Sequence, residues 1–192
     1  IRDFGNEADS KIQNFALEIF NDQDLYEKFK EIETNNLDEE SKTFFKDLEI
    51  DFKDAGHGLS DEKKNRLTEI EKKLIDLSIS FAENIAKDKT EVLFLESELK
   101  GLSQNELKNL RKNNDNFVVT MAYPDINAVM ENCSVRTTRE IVWKAFNNRA
   151  VKENSPILEE AVQLRNEKAL LFGFNTWAEY RLQNRMAKSP KN

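Results

Sequence analysis

Apolar residues recur at helical spacing along most of this chain. The longest seam is Leu67, Ile70, Leu74, Leu77, Phe81 and Ile85, widened by Ile75, Ile79, Ala82 and Ala86. It predicts one helix from 61 to 88 that meets neighbours on two sides and spans ~40 Å at 1.5 Å per residue. Ser60 stands at its cap position, with Asp61 and Glu62 where the helix dipole favours negative charge. Upstream, Phe4, Ala8, Ile12, Phe15 and Ile19 continue through Tyr26, Phe29 and Ile32. This predicts an amphipathic helix over 3–33, or two helices broken near Asn21-Asp22. Thr34-Asn35-Asn36 ends that pattern. Asp38 then caps a helix carrying Phe44, Phe45, Leu48 and Phe52, which stops at Gly56-His57-Gly58. The two form a helical hairpin.

The period changes after Thr90. Residues 91–95 and 116–122 are short and rich in β-branched and aromatic side chains, and they predict a small antiparallel hairpin. Between them Ser103-x-x-Glu106 is a capping box opening a helix to about Lys112, followed by a turn at Asn113-Asn114-Asp115-Asn116. Pro124 ends the second strand, and Asp125 is placed to cap a short helix through Met130.

Three helices follow. Thr137-x-x-Glu140 reads as a capping box for a helix from about Arg136 to Ala150, with Ile141, Val142, Ala145, Phe146 and Arg149 on one side. Asn154-Ser155-Pro156 reads as the start of the next, Pro being harmless at the first helical position. Its stripe is Leu158, Ala161, Val162, Arg165, Ala169 and Phe172, closed by Gly173. Thr176-x-x-Glu179 opens a third helix carrying Trp177, Tyr180 and Met186.

Composition agrees with a mainly α chain. Of 192 residues 34% are charged and 39% hydrophobic, with five glycines and three prolines, too few for the turns of an all-β protein. The 29 basic and 36 acidic residues give a net charge of −7 and are interspersed, which argues against nucleic acid as a partner. No apolar run approaches the ~18 residues of a membrane-spanning helix, and no signal peptide is visible. One cysteine, Cys133, fits a reducing compartment and a small buried hydrophobe.

No catalytic, cofactor-binding or metal-ligating residue is expected in these 192 residues. A zinc peptidase motif needs two histidines one helical turn apart with a glutamate between them. The single histidine, His57, is followed by Gly58, Leu59 and Ser60 and reads as a turn residue with a local hydrogen bond. Arg136, Arg139, Arg149, Arg165, Arg181 and Arg185 read as structural partners of Glu140, Glu159, Glu160, Glu167 and Glu179. Trp177 and Tyr180 read as packing residues.

TREIVWKAFNNRAVKENSPILEEAVQLRNEKALLFGF, running into NTWAEYRLQNRMAKSP, resembles the segment before the catalytic region in the thimet oligopeptidase and neurolysin family of zinc-dependent oligopeptidases. Gly56–Phe94, Leu99–Leu110 and Phe117–Cys133 resemble further blocks in the same order, so the likeness covers most of the chain and is weakest before residue 40. It implies one helical region, 1–192, belonging to a larger two-lobed peptidase, with room for a sub-boundary near residue 134. The expected fold is an elongated array of long antiparallel helices plus the small β hairpin. The implied role is a non-catalytic wall of a channel that admits short peptides, partnered by the catalytic lobe of the same polypeptide. Zinc is implied for the full-length parent and expected outside this chain, as is an H-E-x-x-H beyond Asn192. Neither nucleic acid nor membrane is an expected partner, and the cytoplasm is the expected compartment, with an organellar address depending on what precedes Ile1. The competing reading is a stand-alone helical binding or scaffold module without catalysis.

Overall fold

Local signals account for most helix boundaries in the computed structural model, which describes residues 2–192. The chain divides into two units, Ile1–Phe81 with Pro156–Asn192, and Ala82–Ser155.

In the first unit, α1 (Arg2–Asn21) and α2 (Gln23–Lys30) are separated at Asp22, whose carboxylate accepts the Leu25 N–H and caps α2. The break therefore falls where the polar pair Asn21-Asp22 interrupts the stripe. Asp38 caps α3 (Glu39–Asp54) by accepting the Ser41 N–H at 2.7 Å. Aromatic rings fill the space between α2 and α3: Phe29 stacks on Phe45 at 4.4 Å, and Phe52 meets Phe29 and Tyr26. Leu67, Ile70, Ile75 and Leu77 are the buried residues of α4 (Asp61–Lys87). The apolar stripe of α1 is different. None of its residues is buried, and Phe4, Ile12 and Phe15 are exposed.

Phe94, Leu102, Leu107, Phe117, Val119, Met121, Ile126, Val129 and Val142 form one continuous core in the second unit. Strand β1 (Glu91–Phe94) pairs antiparallel with β3 (Asn116–Thr120), Val92 opposite Val119. Between them α5 (Gln104–Asn109) opens with the complete Ser103–Glu106 capping box. This helix ends sooner than its polar sequence suggested. Arg111–Asn113 is strand β2, on the other edge of β3, and a tight turn with Asn114 in the left-handed region joins the two. An edge strand exposed at every residue carries no apolar alternation to betray it.

Asp125 also departs from its expected role. It lies inside α6 (Tyr123–Asn127), and its carboxylate reaches back to the Thr120 N–H and hydroxyl, fixing the end of β3. Helix α7 (Arg136–Asn147) starts where expected, but no Thr137 cap forms. Instead the buried Thr138 hydroxyl donates to Glu98 O at 2.7 Å and anchors the helix to the turn after β1. Gly101 completes that junction: with φ at +103°, a Cβ there would lie 2.2 Å from Asn132 O.

Helix α8 (Val151–Leu171) begins earlier than Ser155-Pro156, so Pro156 sits inside it. Ala150, left-handed at φ 51°, closes α7, and Asp88 takes its N–H. The Asn154 N–H then bonds Ala150 O, and the Ser155 hydroxyl bonds Val151 O, so the first turn is already built when the proline arrives. The buried side of α8 matches the expected stripe only in part. Ala161, Lys168 and Ala169 are buried, whereas Leu158 and Val162 are exposed. Gly173, at φ 83°, ends α8 in a Schellman arrangement, with Phe174 N–H on Ala169 O and Gly173 N–H on Leu170 O. Thr176 caps α9 (Trp177–Leu182), and Met186 lies beyond it, fully exposed. No helix among the described residues is long and apolar enough to cross a membrane.

Candidate functional site

His57 occupies a more structural position than a turn histidine. It is 8% exposed, its Nε2 lies 2.7 Å from Phe20 O, and its ring stacks on Tyr26 at 4.1 Å. The bond is long-range: it ties the α3–α4 turn to the end of α1. Desolvation lowers the imidazole pKa, only partly opposed by the Phe20 carbonyl. The ring is thus held neutral, with one nitrogen already committed. Cys133 is buried, its thiol against Glu98 O.

The arginines do not pair as their sequence neighbours suggested. Arg139 bonds the Cys133 carbonyl, Arg149 bonds Phe146 O and lies 3.8 Å over the Phe146 ring, and Arg165 and Arg181 both lie near Trp177. The glutamates find other cations: Glu140 meets Lys144, Glu160 meets Lys73, and Glu167 makes a two-point pair with Arg66. Trp177 and Tyr180 do pack, as expected; Tyr180 is 2% exposed and stacks on Phe172 at 5.2 Å. No group of three His, Cys, Asp or Glu residues among the described residues is arranged to hold a metal ion.

Two kinds of surface remain in the first unit. One is apolar: besides the bare stripe of α1, Leu158, Val162 and Leu170 are exposed along α8. A groove of about 220 Å³ between α4 and α8 is lined by Leu74, Leu77, Phe81, Ile157, Leu158 and Ala161. Faces of this kind mark sites where another surface belongs.

The other surface is polar. Asp47, Asp51 and Asp54 line a cavity of about 280 Å³ with Tyr180, Arg181, Asn184 and Arg185. Asp51 and Asp54 also line a cavity of about 310 Å³ with Asn21, Glu71 and Lys168. Lys168 pairs with Glu71 and lies 5.4 Å from the centre of the Tyr180 ring. Burial, then the Asp54 charge, pushes the Tyr180 phenol far up, so it stays protonated. The i, i+4, i+7 spacing of the three aspartates was readable in the sequence; the phenol facing them comes from another helix and was not.

Residues 129–192 match the family model described as Peptidase family M3. A Thimet-like oligopeptidase from Dictyostelium discoideum is 34% identical over an alignment covering 100% of this chain and 30% of that protein. A probable thimet oligopeptidase from Arabidopsis thaliana is 30% identical, with 98% and 27% covered, and saccharolysin from Saccharomyces cerevisiae is 30% identical, with 98% and 28% covered. The chain therefore spans 27–30% of the length of these relatives.

Proposed function

This chain belongs to peptidase family M3, and we propose on that premise that it is the non-catalytic helical lobe of a zinc metallo-oligopeptidase, forming a wall of the channel that admits short peptides. The observation that carries the proposal is the coincidence of two facts. The alignment runs through the whole chain yet accounts for under a third of an oligopeptidase, and the faces of α1 and α8 expose Phe4, Ile12, Phe15, Leu158 and Val162. A catalytic lobe of the same polypeptide supplies the apolar cover that these faces lack.

Zinc does not fit the residues present. The lone histidine has its Nε2 on Phe20 O inside an aromatic cluster, and no group of metal-ligating side chains surrounds it among the described residues. The parent reaction, hydrolysis of peptide bonds in short peptides, is accordingly assigned to residues outside this chain, and no step of it is derived from these side chains. What this lobe contributes is exclusion: stiff helices that let an unstructured peptide pass and keep a folded protein out. The cytoplasm is the compartment that goes with this reading, an organellar address depending on sequence ahead of Ile1.

The test is to extend the reading frame beyond Asn192 and express the whole product. An in-frame H-E-x-x-H is expected, together with cleavage of a fluorogenic oligopeptide and sparing of the same sequence when embedded in a folded protein. A product that lacks the motif, or that cuts both substrates equally, overturns the proposal. The isolated 192 residues are expected to bind a hydrophobic dye and self-associate; a monodisperse chain that ignores the dye would favour a finished scaffold module instead.

A further inference from the structure

In the second unit, a cavity of about 450 Å³ is lined by the end of α4, the link into β1, the end of β3 and Arg149. Its acidic groups already have donors from the protein. The Asp88 carboxylate accepts the Thr90 N–H at 2.8 Å and the Ala150 N–H at 2.9 Å, and the Thr90 hydroxyl bonds it as well. Both Glu91 oxygens lie 2.6 Å from one terminal nitrogen of Arg111.

The basic groups of the lining differ. Arg149 holds its guanidinium 3.8 Å from the centre of the Phe146 ring and donates Nε–H to Phe146 O at 2.9 Å. Stacking occupies the guanidinium face and the carbonyl takes Nε–H. The terminal nitrogens, which can grip a carboxylate at two points, form no hydrogen bond or ion pair among the described residues. Asp88 is lowered by its Thr90 bond first and by the Arg149 charge last, so the arginine acts on it across a distance. Lys89, exposed on the same cavity, likewise stands in no ion pair among the described residues. The next residue after Arg149 is also fixed: Ala150 is 8% exposed and left-handed at φ 51°, a conformation that a residue with a Cβ keeps only where its surroundings impose it. In a chain of net charge −7, this cavity therefore carries a pre-oriented cation without a counter-ion. The rest of the lining, Ile85 and Met121 included, is apolar.

We propose that this cavity binds a carboxylate with a short, branched apolar tail. The carboxylate rests on the terminal nitrogens of Arg149 and on Lys89, and the tail on Ile85 and Met121. A free branched-chain acid and the C-terminal residue of a peptide share this chemistry. The inference draws on the residues of this unit alone and stands apart from the peptidase reading.

The test is titration of the 192-residue chain with isocaproate at constant ionic strength, followed by amide NMR shifts. Isocaproamide supplies the tail without the charge, and acetate the charge without the tail. Saturable shifts centred on Lys89, Thr90, Met121 and Ala150 are expected, with isocaproamide at least about tenfold weaker, the effect of one charge-assisted hydrogen bond. Acetate should also be about tenfold weaker, as for one or two methylene groups left unburied. Arg149→Gln should weaken isocaproate about tenfold or more, Arg149→Lys should recover only part of that loss, and Lys89→Gln should cost about threefold, with helical circular dichroism as the control for folding. Lys89 is exposed, so its variant reports on binding even where changes at Arg149 disturb the end of α7. N-acetyl-leucine then separates the two sources: tighter binding than isocaproate assigns the site to a peptide's carboxyl end, weaker binding to a free acid. Absence of saturable binding, equal response to isocaproate and isocaproamide, or affinity unchanged in both Lys89→Gln and Arg149→Lys overturns the assignment. None of these results bears on the peptidase reading, whose test uses the extended protein and peptide cleavage.

Discussion

The two units bury their apolar residues to different degrees. In Ala82–Ser155 a three-stranded sheet, short helices and α7 enclose one core, with Val118, Val119, Val129 and Val142 at 0% exposure. In the other unit helix α4 buries Leu67 and Ile70, but α1 buries nothing and Phe4 is 79% exposed. The same amphipathic spacing thus has two outcomes. A stripe becomes core only where some other element supplies the matching surface. The sheet-bearing unit finds that surface within its own chain segment, whereas α1 and α8 present theirs outward.

Truncating one large side chain in each unit tests this contrast most severely. Phe94→Ala removes a ring that is 2% exposed in a continuous core and should cost about 3–5 kcal/mol. Phe15→Ala, at 62% exposure, should stay within about 0.5 kcal/mol and reduce hydrophobic-dye binding. Urea unfolding of both variants provides the comparison. Equal losses would mean that the α1 stripe is already covered in solution.

The polar side of the first unit has a smaller predicted effect. Glu71→Gln leaves Lys168, only 9% exposed, without its carboxylate and should destabilise by about 1–2 kcal/mol, less than a fully buried pair because Glu71 keeps some solvent contact. The shift should appear in the unfolding midpoint at unchanged slope. If the loss is nil, the pair is solvated and the cavity beside Asp51 is wetter than its lining implies.

How far the sequence reached follows from how local each signal is. Asp38, Ser103 with Glu106, and Gly173 act within a few residues, and each does in the structure what its type and spacing predict. The failures are places where a distant group outbid a local one. Thr138 turns to Glu98 rather than leaving the cap to Thr137, Asp88 and Ala150 start α8 ahead of the Ser155-Pro156 signal, and Asp125 serves β3. Helix α8 was ambiguous for another reason. It carries apolar residues on both sides, Ile157, Ala161 and Leu164 on one and Leu158 and Val162 on the other, so periodicity alone could not say which side is covered. The two polar cavities were half legible: their aspartates lie on one helix, but Tyr180, which lines one, and Asn21, which lines the other, come from α9 and α1.

Acid provides the mildest way to separate the units. His57 has a folded pKa below the unfolded value of about 6.5, because burial against Tyr26 and Phe52 disfavours the imidazolium more than the Phe20 carbonyl favours it. Between the two values the unfolded chain binds the proton and the folded chain does not, so stability rises with pH there. The contribution is complete above about 6.5 and is lost as pH falls through the folded pKa. Only the first unit contains a histidine. Hydrogen exchange between neutral and mildly acidic pH should therefore show protection falling first at the α1 end, the α3–α4 turn and the start of α4, while the amides of β1 and β3 hold until the carboxylates themselves titrate. His57→Phe should flatten that difference. If the sheet amides lose protection in the same pH window as the turn, the two units unfold as one, and the half-covered helices owe their stability to the closed core.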